Sequence, residues 1–425
     1  MKPRMPAALF VASSLACAPA LALSLRAAAT QAVHYDPRMA QASAEIDAAK
    51  ANRDVAQSSD RFTLGFAADV GRSELQTDAP FPQSGLRTPN SMALQGSQPL
   101  YNGGRTAALD EAARLQVEAA LERRRDVGGK LVLATLTAYL DAKRDRETLE
   151  LTRSTLGTLQ QARTDVGKRL DVGEATRTDL SQADARTAEA EANVIRAEAQ
   201  LRATEITLTR LLGEVPAALD ADWPRKLPTA ATREEAVRLS QRAPAVVSAQ
   251  DSGRAAKAQV RVATAEGRPQ LSLDGQASTR DDTEFGYERL STWGVQLKLN
   301  VPIVTGGRTS ARVAEAEAKA AASRFAADDV QAFYAQTAAS EWEILRAAEQ
   351  VITAVEAQVR AAELSLDGVQ KELRVGSSTT LDLLDAQRDL LAAKVNLVIA
   401  QRDRGVTAFR LLAACGTLEL YNIPD

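Results

Sequence analysis

Asp382 and Asp385 stand three residues apart, just after a Val375-Gly376 pair that interrupts a long helix-like pattern. That spacing sets both carboxylates on one helical face, one turn apart, where they could cap a helix, attract a cation or raise a local negative field. Thr379, three residues before Asp382, completes a pattern in which a hydroxyl and an acid cap a helix start, while Gly376 would end the preceding helix in a left-handed turn. Thr176 and Asp179 repeat the arrangement after Val172-Gly173. Capping suffices for Asp179 and Asp382, whereas Asp385 needs another explanation.

Little else in the chain could do chemistry. His34 is its only histidine, and Cys17 and Cys415 are its only cysteines, which argues against zinc, haem, iron-sulfur and histidine-based catalytic sites. There is no phosphate loop, nucleophile motif or metal-ligand spacing, so the chain reads as a non-enzyme without cofactor or metal whose energy comes from a partner. His34 reads as a solvated residue near the mature N-terminus, and Cys415 as a small buried apolar residue. The 425 residues carry a formal charge of −3 with 4% aromatics, which lacks the basic face and stacking platforms of a nucleic-acid binder.

Residues 1–22 read as a secretory signal: Lys2 and Arg4 precede an apolar run from Ala7 to Leu21, and Ala20-Leu21-Ala22 offers a small-x-small cleavage site after Ala22. Ala27-Ala28-Ala29 offers a later site. In a rival reading Cys17 is lipidated, although Ser14 stands where a lipobox usually has leucine. Beyond the signal no run of about 18 apolar residues exists, so an exported chain of this kind is soluble or enters a membrane as a β-barrel.

The chain repeats itself with a shift of 203 residues. Pro99, Gly103, Gly104 and Arg105 recur as Pro302, Gly306, Gly307 and Arg308; Val172, Gly173 and Asp179 recur as Val375, Gly376 and Asp382. Residues 23–212 form the first copy and 233–425 the second, joined by a linker or equatorial segment over 213–232 that contains Gly213, Pro216, Pro224 and Pro228. Each copy reads as a helix, two strands and two long helices. Leu345, Ala348, Ile352, Val355, Val359, Ala362, Leu366, Val369 and Leu373 alternate spacings of three and four, a coiled-coil seam. Thr106 to Leu170, as one helix, would reach about 98 Å, too long for a compact domain.

Between the helices lie alternating segments. Trp293, Val295, Leu297, Leu299 and Val301 share one face and Gln296, Lys298 and Asn300 the other; Phe62, Leu64, Phe66, Ala68 and Val70 make a similar face in the first copy. Apolar-out, polar-in strands of this length suit a membrane barrel, but four strands cannot close one, since about eight are needed. Three chains would supply twelve. Ser73 to Asn90 and Arg280 to Arg289 would be the exposed hairpin loops, with Trp293 and Tyr287 in an interfacial girdle. Trp342, mid-helix, reads as packing.

With these residues in view the chain resembles TolC-type outer-membrane channels, the exit ducts of tripartite efflux pumps and type I secretion systems. The resemblance rests on the duplicated Pro-x-x-x-Gly-Gly-Arg junctions and on the segment from Arg374 to Arg388, followed by Leu411 to Gly416. It implies a mixed α+β membrane protein: a homotrimer with a twelve-stranded β-barrel, four strands per chain, in the outer-membrane lipid of a Gram-negative bacterium, continued by a twelve-helix α-barrel in the periplasm. It further implies that Asp382 and Asp385 line a cation-selective periplasmic gate, with Asp179 on the neighbouring hairpin. The hairpin tips at Val172-Gly173 and Val375-Gly376 would meet a periplasmic adaptor, itself joined to a proton-driven or ABC transporter of the inner membrane. Leu373 stands where an aromatic residue is usual and Ser378 where some members carry an arginine, departures that imply a latch either weaker or built differently. A non-conducting periplasmic coiled-coil scaffold would explain the seams but not the alternation at Trp293 to Val301.

Overall fold

The computed structural model describes residues 23–75, 85–214, 216, 218–220, 222–224, 227–281, 289–418, 420 and 423. The signal segment, Cys17, Tyr287 and the two hairpin-loop tips lie outside them. The first copy runs α1 (Leu25–Tyr35), α2 (Pro37–Ser58), β1 (Thr63–Val70), β2 (Ser73–Leu75), β3 (Gly85–Arg87), β4 (Asn90–Tyr101), α3 (Arg105–Asp171) and α4 (Arg177–Leu212). The second runs α5 (Arg233–Ser240), α6 (Pro244–Ala265), β5 (Gln270–Asp281), β6 (Arg289–Asn300), α7 (Arg308–Arg374) and α8 (Thr380–Ala414).

The leading helix expected once per copy is two helices in each. Pro37 opens α2 and Pro244 opens α6. A proline has no N–H to offer the preceding turn and disfavours helical geometry in the residue before it, so it starts a helix better than it continues one. The hairpin expected as a loop over Ser73 to Asn90 instead extends its first turn of chain as the paired strands β2 and β3.

Four strands form one antiparallel sheet in the order β1-β4-β5-β6. Its register sorts the side chains as the alternation required. Leu271 lies opposite Leu299 and Leu273 opposite Leu297, while Phe66 faces Leu94 and Leu94 faces Ala277. The reverse face aligns Thr63, Ser97, Asp274 and Gln296 across all four strands. The copies differ at their ends: β4 runs on through Pro99 to Tyr101 over an irregularity, whereas β6 stops at Asn300, before Pro302. Pro99 is tolerated because β1 pairs only up to Ser97, so no ladder bond is asked of its nitrogen on that side.

Each of α3 and α7 is 67 residues long, about 100 Å at helical rise. The wall is a single layer of helix columns. α3 packs on α2 and α4 along one flank and on α6 and α8 along the other, and α7 packs on α6 and α8. The short helices stack end to end: a Cβ on Gly416, after α8, would meet the Cα of Ala243, before α6, at 2.6 Å, and one on Gly213, after α4, would meet Tyr35 of α1 at 2.7 Å. The seam residues named from spacing are buried or half-buried, with Leu345 and Ile352 the deepest among them, while Arg163 of α3 is exposed and paired with Asp184 of α4.

The main core sits at the equator. Leu131, Leu136, Tyr139 and Leu140 of α3 meet Leu208, Leu211 and Leu212 of α4, Phe409 and Leu412 of α8, and Ala28, Ala29 and Ala32 of α1. Leu219, Trp223 and Leu227 of the inter-copy segment, with Leu418 and Ile423 of the C-terminal segment, close over it. Cys415 is buried, its thiol directed at the carbonyl of Ala236 and pushed up to about 11 by desolvation. Trp342 packs on the smaller cluster around Leu345 and donates its indole N–H to the carbonyl of Ala230. Among the described residues no helix is long and apolar enough to cross a membrane.

Candidate functional site

The site is assembled at the hairpin ends remote from the sheet. α3 ends on basic residues, Lys168 and Arg169, which suit the negative end of a helix dipole. The chain turns through Val172 and Gly173 and enters α4 through Thr176. The Thr176 hydroxyl accepts from the Asp179 N–H at 3.2 Å, and the Asp179 carboxylate accepts from the Thr176 N–H at 2.8 Å. The second copy repeats the geometry: Asp382 N–H to Thr379 at 3.2 Å, and Thr379 N–H to the Asp382 carboxylate at 2.8 Å. Ser378, where a family arginine is absent, adds a hydroxyl donor to the same Asp382 oxygen at 3.1 Å. Both turns leave their valines in solvent, Val172 71% and Val375 79% exposed.

These contacts hold the two acids charged. The Thr379 hydroxyl, then its backbone N–H and Ser378, keep Asp382 below the usual carboxylate value, and the Thr176 backbone N–H followed by its hydroxyl does the same for Asp179. Asp385 is not part of a cap. It accepts from the Arg186 guanidinium of α4 at 2.9 Å, with Arg388 one turn on at 3.7 Å.

Arg186 is the residue that sequence reasoning missed. It lies seven positions beyond Asp179, hence on the same helical face, which was the available signal. At the same level Leu384 of α8 is 1% exposed and packs with Leu159 of α3 and Ala183 and Ala190 of α4. Gln387, also on α8, is buried there, and its side-chain oxygen has no hydrogen-bond partner among the described residues. Among the described residues the two hairpins thus meet near their tips through the Arg186–Asp385 ion pair and the apolar contact of Leu384.

At the opposite end of the long helices, the duplicated junctions turn strand into helix. Gly103, Gly104, Gly306 and Gly307 all have positive φ, so the chain leaves the sheet through two successive left-handed residues before Arg105 and Arg308 begin α3 and α7. Arg268 donates to the Gly103 carbonyl at 3.0 Å and buttresses the first of these turns. Trp293 lies 86% exposed on the apolar face of the sheet. His34 is exposed in the last turn of α1.

The chain thus carries two capped hairpin tips at one end and a two-faced sheet at the other. The family described as "Outer membrane efflux protein" matches residues 28–214 and 236–417. The outer membrane efflux protein BepC of Brucella suis is 33% identical over 341 residues, spanning 79% of this chain and 74% of that protein. The outer membrane protein TolC of Vibrio cholerae is 26% identical over 416 residues, spanning 93% and 91%. Among solved structures, VceC of Vibrio cholerae superposes with a TM-score of 0.79 at 21% identity over 92% of this chain and 96% of its own, which shows the same fold. With its two copies matched in order, the chain belongs to the outer membrane efflux protein family: it is an outer-membrane duct for export rather than a coiled-coil scaffold confined to the periplasm.

Proposed function

We propose that three copies of the chain close into one passive duct, a twelve-stranded barrel in the outer-membrane lipid continued by twelve helix columns through the periplasm. The sheet carries the argument. Its apolar face, from Phe66 through Leu273 to Leu297, is exposed, and strands β1 and β6 each end the sheet with an unpaired edge. Such edges are templates for pairing with another chain, and an apolar face of four strands in water has no stabilising partner. Exposed Phe325, Phe333, Ile344, Val351 and Leu364 on α7, one of the two end columns, favour a neighbouring column from the next chain.

Cargo moves through the polar interior without catalysis, driven by an inner-membrane transporter that a periplasmic adaptor couples to the tips at Val172-Gly173 and Val375-Gly376. Asp382 and Asp385 form the gate, with Asp179 holding the adjoining hairpin: three chains contribute six carboxylates to a narrow mouth, a field that concentrates cations. Membrane fractionation with crosslinking, followed by planar-bilayer recording, tests the reading. It predicts a crosslinked trimer in the outer membrane with single-channel conductance. A soluble periplasmic monomer would remove the proposal.

A further inference from the structure

We infer that Gly128-Gly129 is a hinge in α3, at which the tip-side part of the wall swings as one body against the sheet-side part. That the swing moves the gate rests on the duct reading; the hinge itself does not.

Two adjacent glycines stand in the interior of a helix 67 residues long. Each favours the helix less than alanine would, because its freer backbone has more to lose on ordering. Packing does not ask for them. A Cβ on Gly129 would meet nothing within 4 Å, and one on Gly128 would meet only the flexible end of Met39, at 3.7 Å. The second copy, 203 positions on, has Gln331 and Ala332 in their place.

α3 is anchored on either side of the pair and not at it. On the sheet side the Ala119 carbonyl accepts the Ser248 hydroxyl of α6 at 2.9 Å, Arg123 donates to Ser252 of α6 at 3.0 Å, and Arg124 donates to Ser43 of α2 at 3.1 Å. On the tip side Leu131, Val132 and Leu136 enter the equatorial core. Between Ala120 and Leu131 no residue of α3 is buried, the widest such interval in the helix. The neighbouring columns break at this level too: α1 gives way to α2 at Asp36, close to Met39, and α8 to α6 between Gly416 and Ala243. A cavity of about 800 Å³ opens at the second joint, with Gly128, Gly129, Met39, Pro244, Gly416 and Tyr334 on its walls. Only α3 and α7 run unbroken past it, and the Tyr334 hydroxyl of α7 donates to Asp126 at 3.2 Å, on the sheet side of the pair.

Helices kink at pairs of small residues of this kind, and a segment opens most easily where buried contacts are fewest. The equatorial core binds the tip-side length of α3 to α4 and α8, so these move together. From Gly129 to Asp171 is 42 residues, about 63 Å of helix, and a bend of about 10° at the pair carries the Val172 turn about 11 Å. The Arg186–Asp385 pair makes the second hairpin follow.

Gly128→Ala with Gly129→Ala, in the full chain, tests the hinge, since alanine removes the freedom of the pair without asking for space. In the wild type, hydrogen exchange should find residues 125–130 roughly tenfold less protected than residues 112–120 and 131–142. The double variant should raise protection of 125–130 by about five- to thirtyfold, the combined propensity difference of two glycines. Gly157→Ala, at an equally open position of the same helix, should leave them unchanged. Equal protection along the wild-type helix, or no gain in the double variant, overturns the hinge. Spin labels on Val172→Cys, with the native thiol of Cys415 buried, report the tips. Distances between chains should be broadly distributed in the wild type and in Gly157→Ala, and distinctly narrower in the double variant. Equal breadth in all three would sink the link from hinge to gate. Labels that find no second chain would break the duct reading, and exchange would still decide the hinge.

Discussion

Arg186 on α4 and Asp385 on α8, 199 positions apart in the chain, meet at 2.9 Å and form an ion pair between the two helical hairpins near their tips. The side chains are 29% and 38% exposed, so solvent screens the pair and its contribution is at most about 1 kcal/mol per chain. Arg186→Gln should therefore raise the open fraction in a planar bilayer by no more than roughly fivefold per chain. Exchanging the charges, Arg186→Asp with Asp385→Arg, should return it toward wild type. Unchanged gating in Arg186→Gln would show that Leu384 alone holds the contact.

The acids at the mouth make a separate prediction about selectivity. Asp382→Asn with Asp385→Asn removes six negative charges from a trimer while keeping side-chain size. Cation preference and block by multivalent cations from the periplasmic side should both fall, most steeply at low salt, where screening is weakest. Retained preference would place selectivity elsewhere in the tunnel.

Protonation gives the same site a pH signature. The folded pKa of Asp382 lies below its ordinary 3.8 because Thr379 and Ser378 donate to the charged form. A depressed value means that the cap's contribution is complete above 3.8 and fades as pH falls below it, through the folded value. Helix-hairpin protection measured by hydrogen exchange at these tips should be flat from pH 7 to about pH 5 as far as Asp382 is concerned. Asp382→Asn should weaken protection across that range.

Leu297 and Gln296 are adjacent on β6 and point to opposite faces, Leu297 beside Leu273 and Gln296 beside Asp274. Leu297→Arg should cost about 2–4 kcal/mol if the residue sits near the bilayer midplane, and less near an interface. Gln296→Arg should be tolerated. Similar losses of trimer heat resistance in both variants would contradict the faces.

Two left-handed glycines should respond differently to alanine. At Gly173, φ +80, nothing lies within 4 Å of the added Cβ, and the cost is the backbone term alone, roughly 1–2 kcal/mol. At Gly416, φ +69, the Cβ also meets Ala243 at 2.6 Å, and the overpacking adds about 1–3 kcal/mol. Thermal denaturation of the two variants should rank Gly416→Ala as the less stable; the reverse order would show that the α8–α6 joint yields freely.

Tyr139→Phe tests the equator. The hydroxyl bridges Leu23 and Asp220 at 2.6 and 2.7 Å, and burial pushes it up to about 12, so it remains a donor throughout the physiological range. Its loss strands a carbonyl and an N–H, at about 1–3 kcal/mol for the pair of contacts. Denaturant unfolding should register the loss, and a neutral result would mean that water replaces the phenol.

Much of this molecule was legible from neighbours in the chain. Spacings of three and four named the seams, alternation named the faces of β6, and Thr-x-x-Asp after Val-Gly named both caps, because each pattern is set by the geometry of a single element over a few residues. Pro37 and Pro244 carried the helix breaks in the same local way, although the breaks themselves were read as continuous helix. What only the tertiary structure decided are the meetings between elements: Arg186 with Asp385, Leu384 lodged at the other hairpin, and Tyr139 joining the first residues to the inter-copy segment. With 52 basic and 55 acidic residues, composition allows far too many ion pairs to single one out. Which two charges meet depends on the cumulative twist of two helices roughly 50 to 100 Å long, where a small change in pitch along the way moves a side chain to another neighbour.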